Sequence, residues 1–146
     1  MRALIDTNII LDVALQRKPY ASNSTEVLFL AEARQIIDYV SASTISDIYY
    51  IVRKSLGRAS VLDFLGGLLN FCEVATVDKS VIDSALKAAM TADFKDFEDA
   101  IQNYAAVTSA LDTIVTRNAK DFAQSKQRIL TLEQLIQVVA SNNKGA

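Results

Sequence analysis

Ala3-Leu4-Ile5-Asp6-Thr7-Asn8-Ile9-Ile10 is the stretch whose reading decides the fold. Three apolar residues end in an acid, and helical spacing takes over at once, with Ile9, Ile10, Val13 and Ala14 on one side. A run this short reads as a buried strand, and Thr7 or Asn8 can cap the helix behind it. The same junction recurs along the chain. Ile36-Ile37-Asp38-Tyr39-Val40 leads into a helix carrying Asp47, and Thr113-Ile114-Val115 leads into Asn118 and Asp121. Asp96 and Asp99 open the helical segment Asp96-Phe97-Glu98-Asp99-Ala100-Ile101.

Outward from these junctions, the pattern predicts a helix over about 22–34 after Pro19 and a strand over 36–41. A helix capped by Ser43 or Thr44 follows and stops at Gly57. Further helices are expected over 59–70, from Asp78 or Ser80 to Met90, and over 97–109. Strands are expected over 72–77, 113–116 and 128–131. A last helix runs from Leu132 to about Ala140, and 141–146 reads as a frayed tail. Strands alternating with helices define an α/β protein with a parallel sheet covered on both faces. In such a sheet, ligands bind beyond the carboxyl ends of the strands, where the acids cluster.

Composition narrows the chemistry. The 146 residues suit one domain over 1–146, and 51% hydrophobic content supplies a core. There is no histidine, which excludes Ser-His-Asp and Cys-His catalysis and histidine-held zinc. The single cysteine, Cys72, lies in the apolar run Phe71-Cys72-Glu73-Val74-Ala75 and reads as a buried structural thiol. No apolar run approaches the roughly 18 residues of a membrane span, and no signal-peptide pattern follows Met1-Arg2. A cytoplasmic protein with no membrane association is the expectation. Net charge is −2, so any nucleic-acid contact rests on local groups such as Arg117 with Lys120.

Clustered carboxylates repel one another unless a cation lies between them. With only oxygen ligands at hand, that cation is Mg²⁺ or Mn²⁺, and the chemistry is phosphoryl chemistry. Asp6 could instead cap the first helix, but Thr7 and Asn8 already supply that function. Thr44-x-x-Asp47 also fits a capping box. Asp96 and Asp99, at i and i+3, also suit a helix N-terminus, where the dipole favours acids. Capping leaves unexplained the crowding of Asp93, Asp96, Glu98 and Asp99 into seven residues.

Four segments together resemble the PIN-domain nucleases: Leu4–Asp12, Val40–Tyr50, Asp96–Ala100 and Ile114–Phe122. The resemblance implies a PIN-like three-layer α/β/α sandwich with a central, mostly parallel sheet of four to five strands. It implies a ribonuclease dependent on one or two Mg²⁺ or Mn²⁺ ions. Asp6, Asp47, Asp96 and Asp99 would be catalytic, with Asp6, Asp99, Asp47 and Asp121 as metal ligands. Thr7, Asn8, Thr116 and Asn118 would position ligands or substrate, and Arg117 and Lys120 would contact the RNA backbone. Compact members of the family include VapC-type toxins of toxin–antitoxin systems, so a small antitoxin and a homodimer are implied partners. Two positions depart from the family pattern: Asp47 stands where Glu is usual, and Asn118 where many members have Asp. They sustain the alternative of a PIN-like module that binds RNA or protein without cutting. A phosphatase on a similar sheet would carry a second acid two residues beyond Asp6, where this chain has Asn8.

Overall fold

The computed structural model describes residues 1–144. Five strands, β1 (Arg2–Ile5), β2 (Ile37–Ser41), β3 (Glu73–Ala75), β4 (Thr113–Val115) and β5 (Arg128–Leu130), form one sheet in the order β3-β2-β1-β4-β5. Every pairing is parallel. Seven α-helices lie among the described residues: α1 (Thr7–Ala14), α2 (Ala21–Glu32), α3 (Ala42–Leu56), α4 (Arg58–Leu68), α5 (Lys79–Met90), α6 (Phe97–Thr108) and α7 (Leu132–Lys144). A short 3₁₀ turn, Ala119–Phe122, lies between β4 and β5.

The strands' two-residue period divides the core into two layers. Ala3, Ile5, Val40, Val115 and Leu130 pack with α1–α4 and α7 on one face. Leu4, Ala75 and Ile114 pack with α5, α6 and Phe122 on the other. Burying each large aliphatic side chain contributes roughly 1.5–3 kcal/mol. The short apolar runs therefore specify buried strands, although strand propensity over three or four residues is slight.

β1 lies at the centre, with the chain extending to β2 and β3 on one side and to β4 and β5 on the other. The topological switch point, the crevice such sheets use for ligands, therefore falls between β1 and β4. Asp6 N–H donates to Val115 O (3.0 Å) and Thr116 N–H to Leu130 O (3.0 Å), so both strand ends are held in register where Asp6 and Thr116 emerge.

Among the element boundaries that differ from the sequence expectation, three have a clear physical reason. The α3 cap is Ser41, whose Oγ accepts from Thr44 N–H (3.3 Å), so the helix starts ahead of Ser43 and Thr44. The Thr44 hydroxyl is drawn inward to those of Thr7 (2.8 Å) and Ser41 (2.9 Å). β3 has three residues rather than six, because it is an edge strand paired only with β2. The predicted frayed tail over 141–146 is helical through Lys144, as α7 continues from its buried residues Leu132, Leu135 and Val139 with no breaker before Gly145. Residues 145–146 lie outside the described residues. Gly57 ends α3 as expected; its φ of +86° is a conformation that side chains resist.

Cys72 is buried at 5% exposure. Burial, and then the charge of Asp38, push its thiol pKa far up. A thiol held protonated in this way is a packing group and not a nucleophile. Among the described residues, no helix is long and apolar enough to cross a membrane.

Candidate active site

Asp6 occupies the N-cap position of α1, yet its carboxylate makes no capping hydrogen bond. It is 4% exposed and is held by two side chains. Thr116 Oγ1 donates to Oδ2 (2.7 Å) across the switch point, and Gln102 Nε2 donates to Oδ1 (3.2 Å) from α6. Gln102 Oε1 in turn accepts from Thr7 N–H (3.3 Å), so one buried amide ties Asp6 to the start of α1. Asn118 N–H donates to Thr116 Oγ1 (3.1 Å), which orients that hydroxyl toward Asp6.

Asp6 opens into a cavity of about 220 Å³. Its polar lining comprises Thr7, Asn8, Asp96, Glu98, Asp99, Gln102 and Asp121 besides Asp6. The acids come from three elements. Asp6 ends β1, Asp121 lies in the 3₁₀ turn after β4, and the others open α6. Asp96 caps α6, accepting from Asp99 N–H (3.1 Å). It therefore has the structural role expected of an N-cap while also facing the cavity.

Repulsion acts on Asp99. Burial first, then the charges of Asp6, Asp96 and Asp121, push its pKa up to about 7. Glu98 is pushed up by burial first and then by its contact with Asp47, while Thr7 Oγ1 donates to Glu98 Oε1 (3.3 Å). Among the described residues, no Lys or Arg pairs with the cavity's carboxylates within 4.0 Å.

The sign of the pH dependence follows. A carboxyl whose folded pKa lies above its ordinary value of about 4 binds a proton in the folded state that the unfolded chain releases. Its stabilisation is full below about pH 4 and is lost as pH rises to about 7. Asp99→Asn removes this dependence. In EDTA, the variant is expected to melt above the wild type at pH 7.5, and the gap should narrow at pH 5 and close near pH 4. An equal gap at pH 7.5 and pH 4 would show that Asp99 does not carry the effect.

Several predicted residues lie elsewhere. Asp47 does not line the cavity; it reaches the site through Glu98. Thr116 stands behind Asp6, and Asn118 lines neither the cavity nor the cleft beside it. Lys120 lines that cleft. Arg117 departs most from its expected part as an RNA contact. Its Nε and Nη2 donate to Asp12 Oδ2 (3.0 Å) and Oδ1 (3.3 Å), and its guanidinium stacks 3.9 Å from the Tyr20 ring centroid. Asp12 is fully buried, and this guanidinium is its close counter-charge; Arg17 stands farther off at 3.7 Å.

Gln102, Thr44 and Asp12 are site or supporting residues to which the sequence reading gave no site role, and Glu98 entered it only as one of the crowded acids. A faint signal for Gln102 was present, as a polar residue one turn beyond Asp99 in the Ala-rich helix Asp99-Ala100-Ile101-Gln102-Asn103-Tyr104-Ala105-Ala106.

Hard carboxylate oxygens with unrelieved mutual repulsion suit Mg²⁺ or Mn²⁺, and the only cysteine is buried away from them. Among the described residues, no three acids already converge as a metal-ligand set.

The fold and this crevice define an acid-lined α/β protein of the kind the PIN domain describes. The PIN domain family model matches residues 2–120, and the chain belongs to that family. Solved structures with the same fold include the DNA-bound VapBC from Salmonella typhimurium, at TM-score 0.69 and 21% identity, covering 90% of this chain and 98% of that one. A toxin–antitoxin complex from Klebsiella pneumoniae aligns at TM-score 0.66 and 22% identity, covering 89% and 97%. VapC20 from Mycobacterium tuberculosis, a Sarcin-Ricin loop cleaving toxin, aligns at TM-score 0.64 and 10% identity, covering 77% and 86%. Comparison with curated proteins gave no match.

Proposed function

We propose that the protein is an endoribonuclease that hydrolyses RNA phosphodiester bonds with Mg²⁺ or Mn²⁺. The observation that carries this reading is that Asp6, Asp96, Asp99 and Asp121, from three elements, line one cavity at the switch point of the sheet. Asp6 and Asp99 would be the principal metal ligands, with Asp96 and Asp121 completing the set. Asp47 would act through Glu98. The bound ion would lower the pKa of water and stabilise charge developing on the phosphate oxygens.

The chain's own residues do the rest. Thr116 and Gln102 hold the Asp6 carboxylate by one hydrogen bond to each oxygen, leaving further lone pairs free for the cavity. Glu98, with its raised pKa, is placed to take the proton from the attacking water. The water oxygen bonds to phosphorus as the P–O3′ bond breaks, and the leaving 3′-oxygen takes a proton from solvent, giving a 5′-phosphate and a 3′-hydroxyl. The expected products therefore carry 5′-phosphate ends. A 2′,3′-cyclic phosphate would mean attack by the RNA's own 2′-OH and would contradict this mechanism.

Gln102→Ala gives a second test. It frees Asp6 Oδ1 and leaves Thr7 N–H unpaired, so the site loosens. Mn²⁺ affinity, read by calorimetry, should fall about 10–100-fold, as for other residues that orient metal ligands. Unchanged affinity in a folded variant would remove Gln102 from the site.

Similarity to chains of toxin–antitoxin complexes supports a further reading: this nuclease is a toxin neutralised by a small antitoxin. Exposed Ile82, Leu86 and Met90 recur every four residues along α5 and suit a homodimer contact. Sedimentation at the mass of one chain alone would count against the dimer.

A further inference from the structure

Four hydroxyls stand in a row between the acid cavity and the end of β2. Thr7 Oγ1 donates to Glu98 Oε1 (3.3 Å) and lies 2.8 Å from Thr44 Oγ1. Thr44 Oγ1 lies 2.9 Å from Ser41 Oγ, which in turn lies 2.9 Å from Ser43 Oγ. Thr7, Ser41 and Thr44 are buried, and Ser43 is half-buried. The row joins three elements: Thr7 opens α1, Ser41 ends β2, and Ser43 and Thr44 lie in the first turn of α3. Capping by Ser41 accounts for its bond from Thr44 N–H, but not for the turn of the Thr44 side chain toward Thr7.

The proton count fixes the direction of the row. Each hydroxyl has one proton to give, and an ionised carboxylate only accepts. With the Thr7 proton given to Glu98, Thr44 must donate to Thr7, Ser41 to Thr44 and Ser43 to Ser41. Ser41 Oγ then accepts from Ser43 O–H and Thr44 N–H and donates to Thr44, which is the full capacity of a hydroxyl. Hydrogen bonds aligned in this way polarise one another, and away from water each is electrostatically stronger.

We infer that Thr44 is a positioning residue of the nuclease site: it keeps the Thr7 hydroxyl turned toward Glu98, and so holds that carboxylate where the attacking water meets it. The inference rests on the nuclease reading of the cavity and extends the working site to α3 and the end of β2. Asp47, one turn beyond Thr44 on α3, also meets Glu98, so the same helix reaches this carboxylate by two routes.

Two substitutions separate the parts of the Thr44 side chain. Thr44→Val keeps the volume and loses the hydroxyl; Thr44→Ser keeps the hydroxyl and loses a methyl. Thr113→Val is the control, because it deletes an equally buried hydroxyl, bonded to Arg128 O (2.7 Å), from the start of β4. Melting curves first establish that each variant is folded at the assay temperature. Initial rates on a 5′-labelled single-stranded RNA in Mn²⁺ then give kcat and KM. A small misplacement of a reacting group costs up to about a hundredfold in rate. Thr44→Val should therefore lower kcat about ten- to a hundredfold with KM little changed, the pattern of an interaction lost in the transition state. Thr44→Ser should restore most of that loss, and Thr113→Val should show none of it. Mn²⁺ affinity, read by calorimetry, should be the same in Thr44→Val as in the wild type, since the row ends on Glu98 and not on Asp6 or Asp99. If Thr44→Val does not fold, Thr7→Val carries the test: it removes the last donor in the row and should show the same fall in kcat, with Thr7→Ser restoring it. Wild-type kcat in the folded Val variant, an equal fall in Thr44→Ser or Thr113→Val, or a loss of Mn²⁺ affinity that accounts for the lost rate would overturn the positioning role and leave the nuclease standing. If the wild type cuts no RNA, the nuclease reading falls and this role falls with it.

Discussion

Asp6→Asn protein should fold normally and lose RNA cleavage by about a thousandfold or more. The substitution keeps the shape of the side chain, and its carbonyl oxygen still accepts from Thr116, while its amide nitrogen gives up the bond that Gln102 donates to Asp6. It removes the charge at the centre of the acid cavity, and with it a ligand to the ion that would activate water. Stabilisation of transition-state charge by a catalytic metal is worth several kcal/mol. At about 1.4 kcal/mol per tenfold, that amounts to about three orders of magnitude in rate. Relief of repulsion on Asp99 should at the same time hold or raise the melting temperature of the metal-free protein at neutral pH. Initial rates and a thermal melt on the same preparation check both parts. A rate within tenfold of the wild type would remove Asp6 from the chemistry.

The second large effect concerns stability. Arg117→Ala leaves Asp12, 0% exposed, with Ser24 and the more distant Arg17 as its polar contacts. Removing one partner of a buried ion pair typically costs about 3–5 kcal/mol, because the remaining charge is stranded. Arg17 at 3.7 Å would recover part of this, so a loss of about 3 kcal/mol is expected. For a chain of this size, that lowers the melting temperature by about 6–12 °C. Below the transition, the variant should keep the salt slope of RNA binding, since Arg117 faces Asp12 and Tyr20 rather than the crevice. A variant as stable as the wild type but with weakened RNA binding would restore Arg117 to the interface.

How much of this was legible in the sequence depends on the range of the interaction concerned. Strand β1 and helix α1 could be read from Ala3 to Ala14 because burial and helical spacing are local patterns. The gathering of Asp6, Asp99 and Asp121 followed from the same reading, since parallel crossovers bring strand ends to one edge. Side-chain partnerships across the fold were not legible. Nothing near Arg117 in the chain announces that it will neutralise Asp12, 105 residues away. Gln102 is likewise 96 residues from the carboxylate it holds. Asp47 illustrates the middle case: its helix was predictable, but its approach through Glu98 depends on how α3 and α6 pack. The end of α7 was placed too early, because solvent-facing polar residues look alike whether they end a helix or prolong one, as Ser141–Lys144 prolong α7.

The most direct test is cleavage of a 5′-labelled mixed RNA pool by the wild type in Mn²⁺, alongside the wild type in EDTA and Asp6→Asn in Mn²⁺. A nuclease working through the Asp6–Asp99 cavity should give discrete products in the first reaction and none in the other two. Cleavage that persists in EDTA or in Asp6→Asn would contradict a metal-dependent reaction at this site. RNA bound but left intact by the wild type would make the protein a PIN-domain binding module instead.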